Sequence, residues 1–391
     1  MRVVHFSLGT HPVPSLDRPA GVEHDIACLT NHLIRRGVQV SIIDVPATPA
    51  ERRGAEAAFI ELRRPPIPGG SGLSALPRAI AFAVVASRVA RGLARRGRLD
   101  IVHVHNPYAA LCATAFGLRR LGVPIVFTSH TTVGGSPSLR RRIGLAIEAA
   151  AFRRVDAVVP RTAAARDYLV GVMGIAPDKV EAMPVAMDFD AVDHFLAGEP
   201  TQRLANPRVL CAGRIVPRKN QLALLRAIPL VTAAFPGVDF VFVGPVDDRG
   251  YFRVLQRTVA ELGITDRVRF AGSVSQEELY RYYRDSAVFA FPTRGEMFPY
   301  VLIEALSFGL PVVMSDLPTL REIAGDDPAI TAFADPDDTD ALAPAILRML
   351  QTADREEVRR RARSAVERYS CAALAAQTER LYRSLVSRAR Q

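Results

Sequence analysis

Two carboxylates, Glu296 and Glu304, stand eight residues apart in the stretch FPTRGEMFPYVLIEALSFG, residues 291–309. The first falls in a loop behind a short apolar strand, residues 287–291. The second falls one to two turns into a helix whose buried face is Val301, Leu302, Ala305 and Leu306. Pro299 suits the first turn of that helix, where a missing N–H costs nothing. Upstream, a strand over Arg208–Ala212 runs into Gly213, Arg214 and VPRKN, which places two cations, Arg214 and Lys219, just before another helix. Glycine allows close backbone approach, and cationic donors at a helix N-terminus outline an anion site. Singly, each feature has an ordinary reading: a solvated loop glutamate, a helix-surface glutamate, basic residues ahead of a helix. Together, hydroxyl-accepting carboxylates beside phosphate-holding cations describe a site for a polar, phosphorylated ligand.

The elements that must position these groups alternate almost from end to end. Strands are expected at residues 2–8, 38–44, 100–105, 124–129, 157–160 and 180–184, with helices at 22–36, 76–96, 109–121, 139–153 and 162–173 between them. Residues 52–70 carry no clear period and end in a Pro- and Gly-rich loop. A second alternation opens at Arg208, with further strands at 238–243, 268–271, 287–291, 311–314 and 329–333. Apolar strands alternating with helices imply parallel sheets covered on both faces. The expected fold class is α/β, with two doubly wound Rossmann-like domains facing across a cleft. The first spans residues 1–188, residues 189–207 are a linker, and residues 208–353 form the second domain. Residues 354–391 are a charged helical tail with enough length to pack back on the first domain. Ligands of open α/β sheets bind at the carboxyl ends of the strands.

Composition narrows the class. The chain has 391 residues, 49% hydrophobic and 23% charged, which suits a globular protein of two domains. Its first residues, MRVVHFSLG, are too short an apolar run for a signal peptide, and no stretch reaches about 18 uncharged apolar residues. The four cysteines, Cys28, Cys112, Cys211 and Cys371, show neither metal-ligand nor disulfide-framework spacing, so the cytoplasm is the default address. The net charge of +10 is uneven: residues 1–190 hold 24 Arg and Lys against 15 Asp and Glu, and residues 191–391 hold 26 against 25. Most of the arginine pairs in the first half read as solvated helix faces. As a whole, that half favours an anionic acceptor or the anionic inner face of a membrane. Nucleic acid is disfavoured, since aromatics make up 7% and no recognition motif is present. His103 and His105 read as structural histidines at a strand end, and Tyr280, Tyr282 and Tyr283 as helix packing.

GRIVPRKN at Gly213, FVGP at Phe242, FAGSVSQEEL at Phe270 and FAFPTRGEMFPYVLIEALSFGLPVV at Phe289 occur in the order and spacing of a known pattern. This half of the chain resembles the retaining glycosyltransferases of family 4, whose signature is a pair of glutamates separated by seven residues and whose fold is GT-B. The resemblance covers most of residues 208–325 and is looser in the first half. It implies a transfer of a hexose from a nucleoside-diphosphate sugar, of UDP or GDP type, to a hydroxyl of a lipid, lipid-linked or glycan acceptor, as in phosphatidylinositol mannosyltransferases.

The implied roles fall on named residues. Arg214 and Lys219 would hold the diphosphate, with Gly213 beside them. Glu304 would take hydrogen bonds from the ribose, and Glu296 would contact the donor sugar. Backbone around Gly272 and Val274 would hold the base, and the helix start, Met297, Phe298, Pro299, Tyr300 and Val301, would face sugar and phosphate. His130 matches a histidine placed next to the transferred sugar, and Gly21 matches a turn facing the diphosphate. His130, Glu296, Arg214 and Lys219 are thus the expected catalytic set. No metal site and no cofactor beyond the sugar nucleotide are implied; Asp335 and Asp337 have Asp-x-Asp spacing but read as a loop. Three places depart from the family pattern: Ala20 precedes Gly21 where a second glycine is usual, Pro299 replaces a glycine and removes one backbone donor, and Val185–Ala186 stand where Asn-Gly is usual, a change given no functional weight. A soluble small-molecule acceptor and a catalytically silent binding protein of the same fold stay open. A nicotinamide-dependent dehydrogenase is disfavoured, because SLGTHPVP follows the first strand in place of G-x-G-x-x-G.

Overall fold

The computed structural model describes residues 1–7, 22–44, 56–62, 75–130, 139–185, 187–198, 204–296, 298–352 and 354–391. The chain divides into two compact units, Met1–Ala186 with Cys371–Gln391, and Met187–Ser370.

In the first unit the order is β1 (Arg2–Phe6), α1 (Val22–Arg35), β2 (Gln39–Asp44), β3 (Ala58–Glu61), α2 (Ala75–Arg95), β4 (Ile101–Val104), α3 (Pro107–Ala115), β5 (Ile125–Thr128), α4 (Leu139–Arg154), β6 (Ala157–Val159) and α5 (Ala163–Gly171). Among the described residues the strands form one parallel sheet in the order β3-β2-β1-β4-β5-β6. Side chains alternate across it. Val4, Phe6, Val102, Val104, Ile125 and Phe127 face one layer with α2, α3 and α4. Val3, Ile101, Val126 and Val159 face the other. Asn106 and Thr162 start α3 and α5 as N-caps, accepting from Ala109 N and Ala165 N. Residues 52–70, read as periodless, contain β3, an edge strand whose pairing with β2 supplies what local pattern lacks.

The second unit runs α6 (Phe189–Gly198), β7 (Arg208–Ala212), α7 (Gln221–Ala234), β8 (Asp239–Val243), α8 (Arg249–Glu261), β9 (Val268–Gly272), α9 (Gln276–Asp285), β10 (Val288–Phe291), α10 (Tyr300–Ser307), β11 (Val312–Ser315), α11 (Pro318–Ala324), β12 (Thr331–Ala334), α12 (Thr339–Leu350) and α13 (Arg355–Val366). Its sheet order is β12-β11-β10-β7-β8-β9, the same winding as the first. The direction of winding reverses between β7 and β10, which lie side by side with Val288 against Val209 and Phe289 against Leu210. In open α/β sheets the loops leaving the carboxyl ends of two such strands diverge and open a crevice. Val209, Cys211, Phe240 and Phe242 pack to one side of the sheet, and Leu210, Ala212, Val241 and Val243 to the other. Residues 189–207, expected as a linker, begin with α6, whose Val192 is fully buried in this unit. Its Phe189, Val192, Phe195 and Leu196 recur at helical spacing, a short amphipathic run that the polar residues and prolines of the wider segment obscure.

The expected charged tail is split between the units: α13 stays with the second, and the last helix, α14 (Cys371–Arg390), joins the first. There Leu374, Ala375, Tyr382 and Leu385 pack with Leu29 and Leu33 of α1. Cys371 is bonded to Cys28 of α1, with Cα atoms 6.0 Å apart and 343 residues of sequence between them. The lack of disulfide-framework spacing among the four cysteines therefore hides a bond, since one closed across that separation leaves no local spacing to recognise. Among the described residues, no helix is long and apolar enough to cross a membrane.

Candidate functional site

The site is built where the second sheet reverses. Behind β7, Gly213 takes φ 143° and its N–H donates to Val243 O at 2.8 Å. Next to it Gly244, φ 144°, lies so close that an added Cβ would sit 2.1 Å from Gly213 O. A side chain is excluded at Gly244 by the backbone of Gly213, and at Gly213 it is disfavoured by the positive φ. That leaves room for Lys219 to fold back, its Cε 3.5 Å from where a Gly213 Cβ would be. A short 3₁₀ turn over Pro217–Lys219 and Asn220 in the left-handed region, φ 54°, then start α7. The Asn220 side chain ties that turn down by donating to Pro336 O at 2.7 Å.

From β10 comes the counter-charge. Glu296 Oε1 receives Lys219 Nζ at 2.7 Å, Arg218 Nη1 at 2.9 Å and Thr293 Oγ1 at 2.9 Å. All three converge on one oxygen of a carboxylate that is 7% exposed, beside a lysine that is 10% exposed. Among the described residues no hydrogen bond or ion pair to Oε2 is present. Lys219 also lies over the Phe291 ring, 4.7 Å from its centroid. Burial pulls the Lys219 ammonium below its ordinary range, and Glu296 partly restores it. Two cations against one carboxylate leave the cluster with a spare positive charge.

Glu304 sits in the second turn of α10 and is 4% exposed. Its Oε2 accepts from the fully buried Tyr283 hydroxyl at 2.8 Å, and Oε1 from Gln276 Nε2 at 3.4 Å, both on α9. Burial raises its pKa above the usual carboxylate range, while the two donors pull it back. No hydrogen bond or ion pair joins Glu304 to the Glu296 group among the described residues. Arg214 is exposed and paired with Asp247, apart from the Lys219–Glu296 contact. Gly272 ends β9 at φ 71°, and its carbonyl accepts from Gly244 N at 2.8 Å. Val274, Phe298 and Val301 are half-buried against the core of this unit. Pro299 is the N-cap of α10, one position before the first turn assigned from sequence, and α10 has no side-chain cap. Asp335 and Asp337 lie in the loop before α12, where Asp337 N donates to Asp335 Oδ1 at 2.8 Å and Asp337 pairs with Arg294. Gly21 and Met297 lie outside the described residues.

In the first unit, His130 follows β5, and its Nε2 lies 3.2 Å from His105 Nδ1 at the end of β4. Burial pushes its pKa down to about 4.

Sequence reasoning passed over Arg218, Thr293, Tyr283 and Gln276. Arg218 stood inside the quoted PRKN, with nothing to show which of two adjacent cations turns toward Glu296. Tyr283 was read as packing, which its ring does, stacking on Phe308. Its hydroxyl reaches Glu304 only because α9 and α10 lie together.

Two family models match the chain, Glycosyl transferases group 1 over residues 206–352 and Glycosyltransferase Family 4 over residues 19–191. A phosphatidyl-myo-inositol mannosyltransferase of Mycobacterium leprae is 30% identical over 378 residues, covering 95% of each chain. An MMP alpha-(1->4)-mannosyltransferase of Mycolicibacterium hassiacum is 26% identical, over 80% of this chain and 76% of its own. Among solved structures, sucrose-phosphate synthase from Thermosynechococcus elongatus superposes with TM-score 0.74 at 22% identity, covering 99% of both chains. Anabaena HepE in complex with UDP superposes with TM-score 0.74 at 15% identity, covering 98% of this chain and 100% of its own.

Proposed function

The chain belongs to glycosyltransferase family 4, with the GT-B fold and dependence on a nucleotide sugar, and from that premise we propose that it moves a hexose, with retention of configuration, onto a hydroxyl of an anionic lipid or lipid-linked acceptor. The observation that carries the reading is the convergence of Lys219 and Arg218 on Glu296 at the strand reversal of the second unit. A buried cation that already holds one carboxylate, with charge to spare, is preorganised for the diphosphate that becomes more negative as it leaves. Arg214, exposed at the same strand ends and paired with Asp247, adds a further cationic donor. Glu304 is held by two donors from behind, and its remaining acceptor capacity suits the vicinal hydroxyls of a ribose. Backbone at Gly272 and Val274 is assigned to the base, and the donor sugar to Glu296, the α10 start and His130.

The reaction then balances simply. The bond from the anomeric carbon to the diphosphate oxygen breaks, the bond to the acceptor oxygen forms on the same face, and the acceptor proton passes to the leaving diphosphate. Charge stabilisation by Lys219, Arg218 and Arg214 is proposed to serve without a resident metal. Mannose is the favoured hexose, because the two relatives described above are named mannosyltransferases. The +9 excess in residues 1–190 supports an anionic acceptor and peripheral attachment to an anionic membrane surface.

A thermal-shift panel of UDP, GDP and ADP with their hexose conjugates, without divalent ions, tests the donor. A ligand at about 100 times its Kd stabilises by roughly 2.7 kcal/mol. A shift with one base supports the reading and names the donor, and no shift with any of them overturns it. Vesicles containing phosphatidylinositol test the acceptor side: binding at low salt that fades as salt rises is the expected result, and no binding at low salt sinks it.

A further inference from the structure

His5 lies on β1 directly opposite His103 on β4, and His105 stands two residues further along on the same face. That face is covered by α14, whose Tyr382 is fully buried. The polar atoms form one continuous file. Thr128 Oγ1 is 2.6 Å from His103 Nε2, and His103 Nδ1 is 2.5 Å from Tyr382 Oη. Tyr382 Oη is 3.1 Å from His5 Nε2, and His5 Nδ1 is 3.2 Å from His105 Nε2. His105 Nδ1 then meets His130 Nε2 at 3.2 Å. Thr128, His103, His5 and His105 are each at most 3% exposed.

We propose that His103, Tyr382, His5 and His105 are positioning residues for His130, holding its ring in one tautomer through this file. The inference rests on the assignment of His130 to the transferred sugar.

A neutral imidazole has one donor and one acceptor nitrogen. In a file where each nitrogen faces the next group, the choice made at one ring dictates all the others. If Thr128 donates into the file, all four histidines carry the proton on Nδ1. If Thr128 accepts, all four carry it on Nε2. Any other set places two N–H groups or two lone pairs against each other between rings, or has both neighbours donate to Tyr382 Oη and leaves its own buried proton without an acceptor in the file. Burial favours the neutral form throughout: His5 is pushed down to about 3, and His103 and His105 well below the usual range. The file also explains why α14 contributes to a site so distant from it in sequence. Its Tyr382 is the single oxygen joining His103 to the remaining three rings.

Ring ¹⁵N NMR of the full chain, with ¹⁵N-histidine, tests this without substrate. The expected spectrum shows His5, His103, His105 and His130 all as one tautomer, and Tyr382→Phe converts His130 to a mixture while melting cooperatively. In turnover, Tyr382→Phe lowers kcat about tenfold with the donor KM within twofold. Should Tyr382→Phe not fold, His105→Gln cuts the file beside His130 and is read the same way. Mixed tautomers in the parent protein overturn the proposal, as does a His130 signature unchanged in the variant. One equivalent of zinc retained by the purified chain and lost in His5→Gln also overturns it, since His5, His103 and His105 lie within reach of one ion and metal would take the lone pairs the file uses. An inactive parent protein with uniform tautomers leaves the file standing and removes only its catalytic setting.

Discussion

Lys219→Met keeps the length and apolar stem of the side chain and removes its charge. At 2.7 Å and an effective dielectric constant of about 20, its attraction to Glu296 is about 6 kcal/mol before desolvation. Desolvating two buried ions costs several kcal/mol each, so the pair adds little net stability. Removing one partner of a buried pair commonly costs about 3–5 kcal/mol because the other is stranded. Here Glu296 keeps Arg218 and Thr293, so the expected loss is smaller, about 1–3 kcal/mol, by urea denaturation. The loss toward ligand is different in kind. A diphosphate deprived of one charge-assisted donor loses about 1.5–3 kcal/mol, which raises the Kd of the nucleoside diphosphate about 10- to 150-fold by isothermal titration. Since the leaving charge grows in the transition state, kcat falls by about 10²–10³. Glu296→Gln is the counterpart: it frees Lys219, so nucleoside diphosphate binding holds or tightens while kcat drops. A folded Lys219→Met protein that binds its nucleoside diphosphate within twofold of the parent would refute the assignment of Lys219 to the phosphates.

Tyr283→Phe strips Glu304 of its 2.8 Å donor and should destabilise the second unit by about 1.5–3 kcal/mol, or roughly 2–4 °C of Tm per kcal/mol. The penalty should shrink as pH falls and Glu304 protonates, and vanish in the Glu304→Leu background, which has no acceptor; a penalty independent of both would mean the hydroxyl does not serve the carboxylate. Acid should weaken the first unit. Its buried histidines have folded pKa values far below 6.5, about 3 for His5 and about 4 for His130, so below pH 6.5 the unfolded chain takes up protons the folded chain refuses. Each histidine then removes at most about 1.4 kcal/mol per pH unit, and stability flat between pH 7 and pH 5 would contradict the burial. Thiol titration of the denatured, unreduced chain should find Cys112 and Cys211 alone, with four thiols after reduction; four before reduction would remove the Cys28–Cys371 bond.

Local pattern was enough for the α/β class and for most elements of both sheets, because apolar periodicity and glycine punctuation are written within a few residues. It was also enough for the places of Gly213, Lys219, Glu296 and Glu304 relative to strand ends and helix starts, since each depends on its own loop. Partners were another matter. That Lys219 and Arg218 share one oxygen of Glu296 follows from β7 and β10 being neighbours, which no spacing states. Tyr283 and Glu304 meet because two helices pack, and Cys28 finds Cys371 because the final helix returns to the first unit. The four histidines were legible as residues and opaque as a group. Strand alternation put His103 and His105 on one face, but only the register of β1 against β4 set His5 opposite them, and only α14 supplied Tyr382 to join them. Sequence determines what each segment can become by itself, whereas hydrogen bonds between segments depend on distances that exist only once the sheets have formed and been covered.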